Sequence, residues 1–109
     1  MISTVLALAL AGAGMQADTT RASREAFNQC LRQFLDRSIE DRMAADAFNS
    51  AFPRQCASEE AAYRAAILQR ERAFGSTAAD AEQAANEEIE DARANVRDQF
   101  EGASTPSGG

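Results

Sequence analysis

The chain contains no histidine, no lysine and no tryptophan, and only two cysteines and two prolines in 109 residues. Each shortage removes chemistry. Without histidine the commonest general base and the commonest transition-metal ligand are missing, and neither a Ser–His nor a Cys–His nucleophile pair can form. Without lysine there is no amine for a Schiff base. The glycines are Gly12, Gly14, Gly75, Gly102, Gly108 and Gly109, so no glycine-rich phosphate loop occurs. Cys30 and Cys56 stand too far apart for a CxxC redox motif and are too few for a zinc site. The chain is therefore expected not to be an enzyme, with no catalytic residue, no cofactor and no metal.

Runs that alternate apolar with polar residues at high β-branched content are also missing, so strands are not expected. Between Asp18 and Glu101 only Pro53 and Gly75 interrupt a sequence dominated by Ala, Glu, Gln and Arg, all good helix formers. The expected fold class is all-α: a disulfide-linked helical hairpin or three-helix arrangement with a long C-terminal helix, bent or broken at Gly75, and a disordered tail. Eleven arginines face 17 acidic residues, a net charge of −6. That balance repels nucleic-acid phosphates and anionic membrane surfaces and permits a basic protein partner.

What the chain does have begins with an apolar leader. Val5 to Met15 is apolar or small throughout, shorter than the roughly 20 residues of a membrane-spanning helix but suited to the centre of a secretory signal. Cleavage after Ala17 leaves Asp18 first; cleavage after Ala13 fits the small-x-small rule better but leaves a very short leader. No Lys or Arg precedes the apolar run, which leaves the true start open upstream. No cysteine follows it directly, which argues against a lipid anchor. The expected organisation is a signal peptide over 1–17, one helical domain over 18–101 with no membrane span, and a disordered Gly/Ser/Thr/Pro tail over 102–109, with Gly102 as the helix stop. The expected location is periplasmic or secreted.

The first helix is expected to begin near Thr19 or Thr20. Phe27, Cys30, Leu31, Phe34, Leu35 and Ser38 recur at spacings of three and four and share one face, with Arg24, Glu25, Arg32 and Asp36 opposite. A second stripe has an eleven-residue period, close to three helical turns: Tyr63, Phe74, Ala85 and Val96 run beside Ile67, Ala78, Ile89 and Phe100. The shared phase favours one long helix through Gly75. Against it, Gly75 is a natural C-terminal stop, and Thr77 with Asp80 three residues on resembles a helix start. From Ala78 to Phe100 the stripe is narrow and Ala-lined, expected to dock against a second copy or another protein's helix.

In an oxidising compartment two cysteines in a small domain pair. Paired Cα atoms lie within about 7 Å. An unbroken helix from residue 20 to Pro53 would place Cys30 about 30 Å from the turn that holds Cys56. An intrachain Cys30–Cys56 bond therefore demands a reversal near residue 43. Ser38-Ile39-Glu40-Asp41 is the expected place, with Ser38 as N-cap, followed by a short returning helix over about 42–51. A turn at Phe52-Pro53 follows, with Asn49 and Ser50 suiting it and Pro53 at a first helical position. A bond between two chains would lift this requirement.

Glu87, Glu88, Glu90 and Asp91 form the densest acidic cluster. A solvated helix face explains it better than a Ca²⁺ or Mg²⁺ site, because a straight helix converges few oxygens on one ion. Glu59 and Glu60 suit the dipole at a helix start, and Tyr63 and Phe74 are expected in the core. The expected function is contact with another protein through the 78–100 stripe. The alternatives are a chaperone-like stress protein and an acidic inhibitor or immunity-type binder of a basic protein.

Overall fold

The computed structural model describes the backbone of residues 2–104 and the side chains of residues 18–103. It contains α1 (Ile2–Glu40), α2 (Ala45–Ala51), a 3-10 turn (Phe52–Arg54), α3 (Ala57–Ala73) and α4 (Ala78–Ser104). No strand occurs among the described residues. The all-α expectation and the Cys30–Cys56 bond both hold. The first helix does not start at Thr19 or Thr20. It runs unbroken from Ile2, because Ala and Leu favour helix and nothing before Asp41 stops it. Thr20 lies inside α1, buried, with its hydroxyl 3.5 Å from the Ala66 carbonyl.

The reversal that the disulfide demands lies between Glu40 and Ala45. Its device differs from the expected one. Ser38 is not an N-cap: it is buried inside α1, and its hydroxyl donates back to the Phe34 carbonyl at 2.7 Å. The helix ends instead in a Schellman closure. Met43 N–H donates to Ser38 O at 2.9 Å and Arg42 N–H to Ile39 O at 3.1 Å. Arg42 takes the left-handed position, φ 53°, that glycine usually fills. Asn49 and Ser50 fall inside α2, and Pro53 belongs to the 3-10 turn rather than opening α3.

Gly75 ends α3 outright, so the single long helix expected from the shared phase does not form. Gly75 has φ 89°. Its N–H donates to Arg72 O, and Ser76 N–H donates to Glu71 O, each at 3.0 Å. Thr77 Oγ1 then accepts the Asp80 N–H at 3.1 Å and caps α4. The local signals, a glycine C-cap followed by Thr-x-x-Asp, prevail over the long-range phase. Each helix buries a face of its own, Tyr63, Ala66 and Ile67 on α3 and Ala81, Ala85, Ile89, Val96 and Phe100 on α4, and the common period does not join them. Phe74, placed on the packing stripe by that period, lies past the last helical residue and is 80% exposed.

Three long helices form the bundle. Thr20 meets Ala66, Phe27 meets Tyr63 and Cys30 meets Cys56, so α3 runs antiparallel to α1. Glu60 meets Arg93, and Arg64 meets Glu82, so α4 runs antiparallel to α3 and parallel to α1. The predicted α1 stripe is the α1 side of the core, with Phe27 and Leu31 wholly buried. Phe34, Phe48, Phe52 and Phe100 gather where α2 closes one end, with the Phe48 and Phe100 rings 3.9 Å apart and nearly parallel.

The Ala78–Phe100 stripe is spent within the chain. Ala81, Ala85, Ile89, Val96 and Phe100 are buried against α1 and α3, while Ala78 at the helix start is exposed. This stripe is therefore not free to pair with a second copy or a partner. The apolar surface of α1 and α3 needed a third helix, and the reversal at Gly75 supplied one. At the other end α4 continues through Gly102 to Ser104, so Gly102 is not the stop; the expected disordered tail beyond it lies outside the described residues.

Candidate functional site

The chemistry-bearing groups fall into four places. The first is the covalent link. Cys30 on α1 and Cys56, the residue before α3, are bonded with Cα atoms 5.9 Å apart. Cys56 sits in the left-handed region, φ 63°, and so turns its side chain toward α1 as the stripe anticipated, although it is not itself helical. Glu59 comes close: one carboxylate oxygen and the two sulfurs lie within 4.8 Å of one another. This is the one such grouping among the described residues. Both sulfurs are committed to each other, so neither is a thiolate ligand.

The second is Arg93, which sequence reasoning overlooked. It projects from α4 into the bundle and is buried, 6% exposed. Nε donates to Glu60 Oε1 at 2.8 Å, Nη1 to the Phe52 carbonyl at 3.1 Å, and Nη2 to the Gln55 carbonyl at 2.8 Å. The guanidinium carbon lies 5.3 Å from the ring centres of both Phe27 and Phe52. One planar fork thus satisfies a carboxylate and two turn carbonyls while stacking on two aromatic faces, a combination lysine cannot reproduce. The sequence signal was present. Residue 93 follows Ile89 by four and precedes Val96 by three, so an arginine interrupts an apolar stripe.

The third is a polar layer between α3 and α4. Glu88 accepts from the Tyr63 hydroxyl at 3.3 Å and from Arg70 Nη2 at 2.6 Å. Burial pushes the Tyr63 phenol above its ordinary range, and the Glu88 charge beside it adds to the shift. The hydrogen bond to Glu88 holds Arg70 still more firmly protonated, against the cost of partial burial. The acidic cluster is dispersed: Glu88 turns inward, Glu87 accepts from Gln83, and Glu90 lies 3.9 Å from Arg97. Likewise Glu60 turns to Arg93, and Arg64 reaches Glu82 and Asn86 on α4. Among the described residues every buried side-chain nitrogen and oxygen has a partner. These groups hold the helices together.

The fourth is what the surface offers. A groove of about 380 Å³ lies between α1 and α4, with Arg24, Asn28 and Arg32 on one wall, Asp91 and Asn95 on the other, and Tyr63 at its floor. At the closed end of the bundle, Ile39, Met43, Phe100 and Ala103 line a smaller cavity of about 280 Å³, with Ser38 and Arg42 at its edge. At the opposite end the α3–α4 turn presents Phe74. Phe74 and Ile39, the latter 40% exposed, are the exposed large apolar side chains among the described residues. No described helix is long and apolar enough to cross a membrane. Comparison with protein-family models, with curated proteins and with solved structures finds no match to this chain.

Proposed function

We propose that this is an exported, non-enzymatic helical protein that acts by contact with another protein. Export rests on the apolar leader over 1–17 and on a disulfide that suits an oxidising compartment. The location is then the periplasm or the exterior, with Asp18 as first residue.

The observation that carries the contact reading is Phe74. An 80% exposed phenylalanine stands on a turn fixed by a Schellman closure on one side and a threonine cap on the other. A rigid, preorganised aromatic is the kind of side chain that anchors an interface at little ordering cost. The stripe first expected to mediate contact is buried, which moves the reading from the body of α4 to this tip.

The test is photo-crosslinking in intact cells with benzoylphenylalanine at position 74 and, as control, at the exposed Gln83. Discrete adducts from position 74 alone are expected. No adduct, or the same adducts from both positions, would sink the reading. Amino-terminal sequencing of the extracellular or periplasmic protein should begin at Asp18; an intact leader on a cytoplasmic protein would remove export.

A second reading, an acidic binder of a basic protein, draws on the outer side of α4, where Asp80, Glu87, Glu90, Asp91 and Asp98 are all exposed. It requires binding that weakens steeply with salt. A chaperone-like role has less support, because a holding surface needs more exposed apolar area than Ile39 and Phe74 supply.

A further inference from the structure

The two exposed apolar features sit at opposite ends of the bundle. Phe74 crowns the α3–α4 turn. The cavity lined by Ile39, Met43, Phe100 and Ala103 opens where α1 and α4 end. Along α4, from Ala78 beside the turn to Phe100 in the cavity, the separation is about 33 Å at the helical rise. We infer that the Phe74 ring of one molecule seats in the cavity of a second copy, joining molecules head to tail. This rests on the reading of Phe74 as a contact residue and names its partner.

The fit is one of size, chemistry and charge. A dry apolar cavity of about 150 Å³ suffices to hold a benzene molecule, and this one offers about 280 Å³. Its walls are an isoleucine, a methionine, an alanine and a phenylalanine, and methionine adapts readily to an incoming ring. Arg72 stands two residues before Phe74; at the socket, Glu40 and Asp41 follow Ile39 in sequence and Arg42 lines the cavity's edge, so this turn carries a net charge of −1. None of the four is in an ion pair among the described residues. Docking brings the Arg72 guanidinium toward this net-acidic turn, with Arg42 as the one like charge beside it. The residues that follow Ala103 in the sequence, Ser104-Thr-Pro-Ser-Gly-Gly109, hold no large apolar side chain besides proline to fill it.

The contact is heterologous: peg and socket are different surfaces, so a dimer keeps one free socket and one free peg, and association continues past it. One aromatic peg makes a small interface, and the association is weak and concentration-dependent.

Sedimentation equilibrium of the purified, disulfide-intact protein, from roughly 10 µM to roughly 1 mM, tests this in the range expected for a small interface. The wild type should show a weight-average mass that climbs beyond that of a dimer. Phe74→Ser, which loses the peg, and Ile39→Arg, which places a charge in the socket against Arg72, should each weaken association about tenfold or more. Circular dichroism and melting temperature serve to show that both variants stay folded. The decisive arm is their mixture: Phe74→Ser keeps a good socket and Ile39→Arg a good peg, so together they should form a 1:1 dimer and nothing larger. A wild type monomeric throughout, a Phe74→Ser variant that associates like wild type, or a mixture that stays monomeric beside an associating wild type overturns the head-to-tail contact. A monomeric wild type whose position 74 still crosslinks to a different protein in cells ends self-association and leaves the contact reading standing. Monomers without adducts end both.

Discussion

Replacing Arg93 with methionine puts the reading of the interior to its sharpest test. Met keeps most of the aliphatic volume between Phe27 and Phe52 but deletes all three hydrogen bonds at 2.8–3.1 Å. The Phe52 and Gln55 carbonyls lose their donor, and Glu60 loses its counter-charge. Removing one partner of a fully buried ion pair costs about 3–5 kcal/mol. Here the Glu60 side chain is 30% exposed, so water recovers part of its solvation, and about 2–4 kcal/mol is expected. A domain of roughly 85 residues holds about 4–13 kcal/mol in all. The loss is therefore a large fraction, equivalent to a fall in melting temperature of about 8–32 °C. Urea titration followed by circular dichroism, with the disulfide intact, measures the global effect. Amide exchange shows where it falls, with the amides of 52–60 expected to lose protection first. Arg93→Lys should recover less than half of the loss, because an ammonium cannot serve a carboxylate and two diverging carbonyls in one plane. A stability within about 1 kcal/mol of wild type for Arg93→Met, or full recovery by lysine, would refute the assignment of Arg93 as the group that ties α4 to the 3-10 turn and α3.

The Cys30→Ser/Cys56→Ser pair opens a loop of about 27 residues, and the chain-entropy model gives a loss of ~3.5 kcal/mol; a urea midpoint unchanged between oxidised and double-serine protein would contradict it. Gly75→Ala meets no atom within 4 Å of the added Cβ, so its cost is the left-handed backbone alone, about 1–2 kcal/mol by thermal melting. Arg42→Gly should act oppositely at φ 53°, a gain of about 0.5–1 kcal/mol once glycine's greater unfolded-state freedom is deducted. With no lysine, no histidine and no free cysteine, Tyr63 is the one side chain that titrates in the alkaline range. Its pKa is raised in the folded state from 10.0. Its contribution is therefore complete below pH 10 and lost as pH rises through the folded value, since the unfolded chain gives up its proton first. Urea midpoints from pH 9 upward should decline in wild type and hold steady in Tyr63→Phe.

Local chemistry was legible wherever a residue's role depends on its near neighbours. The α1 face from Phe27 to Ser38 was fixed by 3.6-residue spacing. Thr77 and Asp80 wrote the cap of α4 in their side chains, although the eleven-residue phase drew the opposite conclusion at Gly75. The disulfide reversal was legible as a condition of an intrachain bond, because bond geometry and helical rise leave no other route for Cys30 to reach Cys56 within one chain. Its device was not: an arginine in the left-handed region carries no sequence mark, since closure of the carbonyls at Ser38 and Ile39 outweighs the Cβ strain.

The sequence by itself determined that the chain is helical, where α1 buries its face, that an intrachain Cys30–Cys56 bond requires a turn between them, and which catalytic chemistries are missing. Those follow from composition, period and covalent geometry, which act over a few residues or through a bond. Only the tertiary structure decided that the α4 stripe is consumed inside the molecule, that Phe74 is left outside, and that Arg93 rather than a hydrophobe sits at the junction of four elements. Burial is a property of pairs of surfaces. An apolar stripe states that a partner is needed, and only the folded chain shows that α1 and α3 already fill that need.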